Sequence, residues 1–158
     1  MANNASILLV DDEENLRRTL AMILKREGYQ VNTAATVKEA REQLENNTFN
    51  LVFLDLKLPD ASGLTLLPEL RKRFPNMPVL VLTAHDKLDA AIEAVRHGAR
   101  DYLLKPLDPP VILQRIREAL EVQDQARTVN EHYSQLQSML KGTQRKKNAT
   151  GRSKKNSG

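Results

Sequence analysis

Residues 7–15 read ILLVDDEEN. Four apolar residues run directly into Asp11, Asp12, Glu13 and Glu14, and no basic residue follows before Arg17. A short apolar run with no helical period is a strand, and this one ends in four carboxylates that repel one another. Comparable runs lie at Leu51–Leu54, Val79–Leu82 and Tyr102–Leu104, with a weaker one at Tyr29–Ala34. Their nearly continuous apolar character suits a parallel sheet covered on both faces.

Helical patterns separate the strands. Leu16, Leu20, Ile23 and Leu24 share one face, and Gly28 stands where a helix would stop. Val37, Ala40 and Leu44 follow, with Thr36 and Glu39 at capping-box spacing. Leu66, Leu67, Leu70 and Phe74 predict a third helix ended by Pro75. Leu88, Ala91, Ile92 and Val95 predict a fourth, closed by Gly98, and Ile112, Ile116 and Leu120 a fifth that begins near Asp108–Pro109. The expected fold is therefore α/β: a (βα)5 doubly wound, five-stranded parallel sheet. Right-handed crossovers put its ligand site at the carboxyl ends of the strands.

Composition narrows the chemistry. The 158 residues are 41% hydrophobic, enough for one domain and an appendage, and contain no Cys. That excludes disulfides, thiolate metal sites and a Cys nucleophile. No secretory signal or membrane-length apolar run is present, and a cytoplasmic location is expected. The net charge of +4 conceals two regions. Residues 141–158 hold seven Lys/Arg and no acid, which leaves 17 basic against 20 acidic residues in 1–140.

The predicted strands bring a polar constellation to one rim. Asp11 and Asp12 follow the first strand, Asp55 the third, Thr83 the fourth and Lys105 the fifth. Two carboxylates about 4 Å apart cost roughly 4 kcal/mol at an effective dielectric near 20. Three need a cation. Oxygen donors without His or Cys favour Mg²⁺, and Mn²⁺ would also serve. A metal, an ammonium and a hydroxyl together neutralise a transferring phosphoryl group, and a carboxylate can accept it as an acyl phosphate. Taken singly, each residue has a plainer reading as turn, cap or solvated charge. The joint placement is what argues for function.

The segments ILLVDDEEN, LVFLDLKLPDASG (51–63), VLVLTAHD (79–86) and GARDYLLKPLD (98–108) resemble the receiver domain of two-component response regulators, over about residues 5–122. The resemblance implies the flavodoxin-like strand order 2-1-3-4-5, and it implies that Asp55 accepts phosphate from a histidine kinase or phosphotransfer protein. It implies Mg²⁺ ligation by Asp12, by Asp11 largely through water, by Asp55 and by the backbone carbonyl of Lys57. Lys105 would pair with phosphoryl oxygens, and Thr83 would hydrogen-bond the phosphoryl group. Tyr102 would be the switch aromatic that follows Thr83, with small Ala84 leaving room. Lys105–Pro106 would be cis, and Gly63 would relax the loop beyond Asp55. Lys57 and His85 would flank the path of water to the phosphoryl group. The expected output is a remodelled face of helix 4, strand 5 and helix 5, and the protein would be a phosphoacceptor, not an enzyme.

Beyond the domain, Val122, Ala126, Val129, Tyr133, Leu136 and Leu140 are spaced 4, 3, 4, 3 and 4 apart, a short heptad seam. Residues 123–141 are expected to prolong helix 5, with a coiled-coil homodimer as one use. Residues 142–158 are expected to be disordered, a basic tail with weak capacity for nucleic acid. Alternatives are a nucleic-acid regulator acting through that tail, or the receiver fragment of a larger transcriptional regulator. A phosphohydrolase would want a second Asp where Asp55-Leu56-Lys57 has Lys, and a flavodoxin-like cofactor binder would want a Gly/Ser/Thr-rich loop where this chain has DDEE.

Overall fold

A computed structural model describes residues 5–84 and 88–155, with the side chains of 123–130 and 142–155 outside the description. Five strands, β1 (Ser6–Val10), β2 (Gln30–Ala34), β3 (Leu51–Asp55), β4 (Val79–Thr83) and β5 (Asp101–Leu104), form one parallel sheet of order β2-β1-β3-β4-β5. Helices α1 (Glu14–Arg26), α2 (Val37–Asn46), α3 (Leu66–Arg73), α4 (Leu88–Arg96) and α5 (Pro109–Lys155) connect or follow them. Fold class and strand order are those expected from the sequence.

Period-two alternation explains why the strands read as unbroken apolar runs. Leu8, Val10, Val52, Leu54, Val79 and Val81 face one layer, against Ala40 and Leu44 of α2, Leu67 and Leu70 of α3 and Ala94 of α4. Ile7, Leu9, Leu51, Phe53, Leu80 and Leu82 face the other, against Leu20 and Leu24 of α1 and Ile112 and Ile116 of α5. With Ile7, Leu8, Leu9 and Val10 all 0% exposed, neither face of β1 meets water. Each such side chain contributes roughly 2 kcal/mol by leaving water.

Local chemistry sets the helix ends. After α1, Gly28 takes φ 95°, its N–H donates to Lys25 O, and Tyr29 N–H donates to Leu24 O. After α4, Gly98 takes φ 108°, with Gly98 N–H to Val95 O and Ala99 N–H to Ala94 O. Both are Schellman closures, which need a left-handed residue at that point. Thr36 Oγ1 accepts from Glu39 N–H at 3.0 Å, and Glu39 Oε2 accepts from Ala35 N–H at 2.7 Å. The capping box therefore forms, with the carboxylate reaching one residue further back than the usual cap.

One segment differs from expectation. The third helical region starts with a 3-10 turn, Gly63–Thr65, and α3 ends at Arg73 with Phe74 as its cap. Gly63 does not relax the loop. Its N–H donates to Leu56 O at 2.8 Å, and a Cβ there would collide with the Asp55 carbonyl oxygen and sit 3.0 Å from Leu56 Cα. Close approach of two backbones, not conformational freedom, requires glycine. Helix α5 continues as helical backbone through Lys155. The chain divides into two units, Met1–Gln123 and Asp124–Gly158.

Gly63→Ala is expected to cost about 3 kcal/mol, the scale of forced overpacking. Thermal melting by circular dichroism checks it. An unchanged midpoint would contradict the close-approach reading.

Candidate functional site

The sheet register builds the site. Val10 pairs with Leu54, so Asp11 and Asp55, one residue further along, emerge side by side at the carboxyl edge. Asp55 pairs with Leu82 and Thr83 with Leu104, which places Thr83 and then Lys105 at the same edge. The Lys105–Pro106 peptide is cis, and Lys105 N–H donates to Thr83 O at 2.8 Å.

Asp11 is wholly buried, and its backbone N–H donates to Ala34 O at 3.0 Å. Its Oδ1 accepts from Glu13 N–H at 2.9 Å, and its carbonyl accepts from Arg17 Nη1 at 2.8 Å. Its Oδ2 has no hydrogen-bond partner, although Lys105 Nζ stands 3.2 Å away as an ion pair. Asp55 is 5% exposed. Its Oδ1 accepts from Lys57 N–H at 3.1 Å and its Oδ2 from Lys105 Nζ at 3.2 Å. One ammonium thus bridges two buried carboxylates, and Glu13 Oε1 reaches the same Nζ at 3.4 Å. Asp12 is exposed at the rim, and carboxylate oxygens of Asp11, Asp12 and Asp55 lie within 4.8 Å of one another.

These positions fix the electrostatics. Burial raises the Asp55 carboxyl to about 6, Asp11 adds to the rise, and the Lys57 N–H and Lys105 oppose it. Burial alone would lower Lys105, but Asp11 and Asp55 outweigh it and hold the ammonium above its usual range. The cluster carries more negative charge than one lysine neutralises. A buried carboxylate oxygen without a hydrogen bond, beside two further carboxylates, fits a hard divalent cation that takes oxygen donors and keeps waters.

A cavity of about 600 Å³ opens above the cluster, lined by Asp12, Asp55, Lys57, Thr83, Ala84 and Lys105. Thr83 is 2% exposed, with Oγ1 3.3 Å from the Ala84 carbonyl. Tyr102 pairs with Val81, two residues before Thr83 on the same sheet face, and packs half-buried against the cluster that contains Val81. Thr83 and Tyr102 are therefore diagonal neighbours. The Lys57 side chain is exposed, and its backbone N–H faces Asp55. His85 lies outside the described residues.

Sequence reasoning assigned no role to Glu13 or Asp60. The signal for Glu13 was present, since it stands two residues after Asp11 in DDEE. Asp60 lies within the segment LVFLDLKLPDASG, and its carboxylate accepts from Val37 N–H at 2.9 Å and Lys38 N–H at 3.0 Å. Partners 22 and 23 residues away leave no local trace.

The family model for the response regulator receiver domain matches residues 7–144. The alginate biosynthesis transcriptional regulatory protein AlgB of Pseudomonas putida is 42% identical over 120 residues, 76% of this chain and 27% of that protein. The response regulator protein PilR of Pseudomonas aeruginosa is 44% identical over 111 residues, 70% of this chain and 24% of its own length. The chain thus spans about a quarter of the length of these curated relatives. Among solved structures, a CheY-like response regulator receiver domain protein from Methanospirillum hungatei JF-1 superposes with a TM-score of 0.75 at 35% identity, covering 78% of this chain and 99% of that one. With the acid-ended sheet, the bridging lysine and the matched family model in agreement, the chain belongs to the response regulator receiver domain family.

Proposed function

We propose that Asp55 is the phosphoacceptor of this receiver, with a histidine kinase or phosphotransfer protein as donor, in the cytoplasm. The observation that carries this reading is the setting of Asp55. It is a buried carboxylate at the floor of an open cavity, held by Lys57 N–H on one oxygen and Lys105 Nζ on the other. An Asp55 oxygen attacks phosphorus, the P–N bond of the donor phosphohistidine breaks, and the imidazole leaves with the electron pair. The product is an acyl phosphate. Lys105 is placed to follow the phosphoryl oxygens, and Thr83 to donate its hydroxyl to one of them. The chain is then a phosphoacceptor that assists its own modification rather than an enzyme for a separate substrate.

Asp11, Asp12, Asp55 and the Lys57 carbonyl would hold Mg²⁺, or Mn²⁺ in its place. The ion would supply positive charge to the transferring phosphoryl oxygens. Asp11 Oδ2 is buried and shares the single Lys105 ammonium with Asp55, which leaves it available as a donor to such an ion.

Thr83 and Tyr102 share a sheet face, and this adjacency supports their use as a switch. A Thr83 hydroxyl drawn toward phosphate vacates space on the side from which Tyr102 packs. Phosphorylation then biases a two-state element, the face of α4, β5 and α5. The name of AlgB, a transcriptional regulatory protein about a quarter of whose length this chain spans, supports an output in transcription through further parts of a longer regulator. The basic stretch 142–158 offers weak, salt-sensitive contact with nucleic acid.

A specific observation favours pairing of two chains through residues 123–141. Among the described residues of the extension, Tyr133, Leu136, Met139 and Leu140 are 57–69% exposed. Tyr133, Leu136 and Leu140 continue the heptad seam that begins at Val122, and a second copy of the same seam would cover them.

Incubation with a small acyl-phosphate donor and Mg²⁺ is expected to add one phosphoryl group by intact mass. Asp55→Asn should remove it, and Lys105→Ala should reduce its yield at least tenfold. Undiminished labelling of Asp55→Asn would contradict the assignment. In sedimentation velocity, the wild type is expected to dimerise with rising concentration. Leu136→Glu with Leu140→Glu should be monomeric and still accept phosphate. A wild type that stays monomeric, phosphorylated or not, would contradict the seam.

A further inference from the structure

We propose that Asp60 is a positioning residue for the metal site, clamping the β3–α3 loop onto the N-terminus of α2 and so fixing the Lys57 backbone relative to Asp11. The inference rests on the reading that Asp11, Asp12, Asp55 and the Lys57 carbonyl hold a divalent cation.

The loop leaves β3 at Asp55 and returns at Gly63. Its inner end is closed by Gly63 N–H to Leu56 O at 2.8 Å and by a bridge between Lys57 and Ser62. Leu56 and Leu58 are buried beneath it. Its outer turn, with Asp60 at the tip, reaches sideways to another element. Oδ1 of Asp60 accepts from Val37 N–H at 2.9 Å, and Oδ2 accepts from Lys38 N–H at 3.0 Å. These are the first two residues of α2, whose N–H groups have no partner within the helix. Thr36 already satisfies Glu39 N–H, so the helix start is capped from within and gripped from outside.

The arrangement joins the two sides of the metal site. Asp11 is tied to the β2–α2 segment through its N–H to Ala34 O at 3.0 Å. That segment runs from Ala34 through Thr36 into the two N–H groups that hold Asp60. Asp60 is separated from Lys57 by Leu58 and Pro59 only, and the proline ring fixes one of the intervening dihedrals. A continuous path of short contacts thus runs from Asp11, through β2–α2, across Asp60 and back to Lys57. Asp55 is held at the near end of the path by Lys57 N–H. The positive end of the α2 dipole favours an anion at this point, and the two N–H bonds lower the Asp60 carboxyl below its usual range.

A clamp that acts at a distance should be felt as metal affinity rather than as fold. Groups that orient ligands typically cost 10- to 100-fold in affinity when removed. Mg²⁺ binding by calorimetry, on the full chain at neutral pH, is the readout. Asp60→Ala is expected to weaken Mg²⁺ about tenfold. Asp60→Asn, which keeps one acceptor oxygen, should recover most of the loss. Leu44→Ala, which opens the core at the far end of α2, should lower the melting midpoint and leave Mg²⁺ affinity within twofold of wild type. Equal affinity in Asp60→Ala and wild type would overturn the clamp while leaving the metal reading intact. An affinity loss in Leu44→Ala as large as in Asp60→Ala would also overturn it, by making the effect one of general destabilisation. A wild type that takes no Mg²⁺ would overturn the metal reading, and the clamp with it.

Discussion

The molecule is organised around a charge imbalance. Asp11 and Asp55 are buried, and Asp12 brings a third carboxylate within 4.8 Å of both. At that separation each pair repels by roughly 3–4 kcal/mol at an effective dielectric near 20. Lys105 relieves part of this, at 3.2 Å from each buried carboxylate. Burial, with the Asp11 charge adding to it, still raises the Asp55 carboxyl to about 6. Three carboxylates held this close form an oxygen-donor set of the kind that suits a hard divalent cation.

The sheet makes the imbalance tolerable mechanically. Five parallel strands, the central ones buried on both faces, fix the Cα positions of Asp11, Asp55, Thr83 and Lys105 through hydrogen-bonded register rather than through loops. Side chains on such a platform cannot drift apart to relax their repulsion, because the core beneath them is close-packed. The β3–α3 loop is closed at Gly63 and tied at Asp60 to the start of α2. On the same sheet face as Thr83, Tyr102 is half-buried.

Much of this was legible in the residues, for identifiable reasons. A strand buried on both faces has few polar interruptions, so Ile7–Val10 and Val79–Leu82 announced a covered parallel sheet. The topology that follows from them puts Asp11, Asp12, Asp55, Thr83 and Lys105 on one rim. Thr36 and Glu39 showed a capping box because capping is local. What stayed hidden was non-local or steric. Gly63 looked like a turn glycine, and only the path of Asp55–Leu56 against it shows that no Cβ fits. Asp60 looked like loop, since its partners at Val37 and Lys38 belong to another element.

The most direct test of the central claim is the pH dependence of stability without metal. A carboxyl raised in the folded state keeps a proton that the unfolded chain releases. The folded protein therefore loses stability as pH rises from the unfolded value near 3.8 through about 6. Asp55→Asn removes that term. In EDTA, the variant is expected to melt close to wild type at pH 4 and clearly above it at pH 7.5, with Mg²⁺ closing the gap by stabilising the wild type. A variant that melts at or below wild type at pH 7.5 in EDTA would contradict the claim that Asp55 is held ionised at a cost.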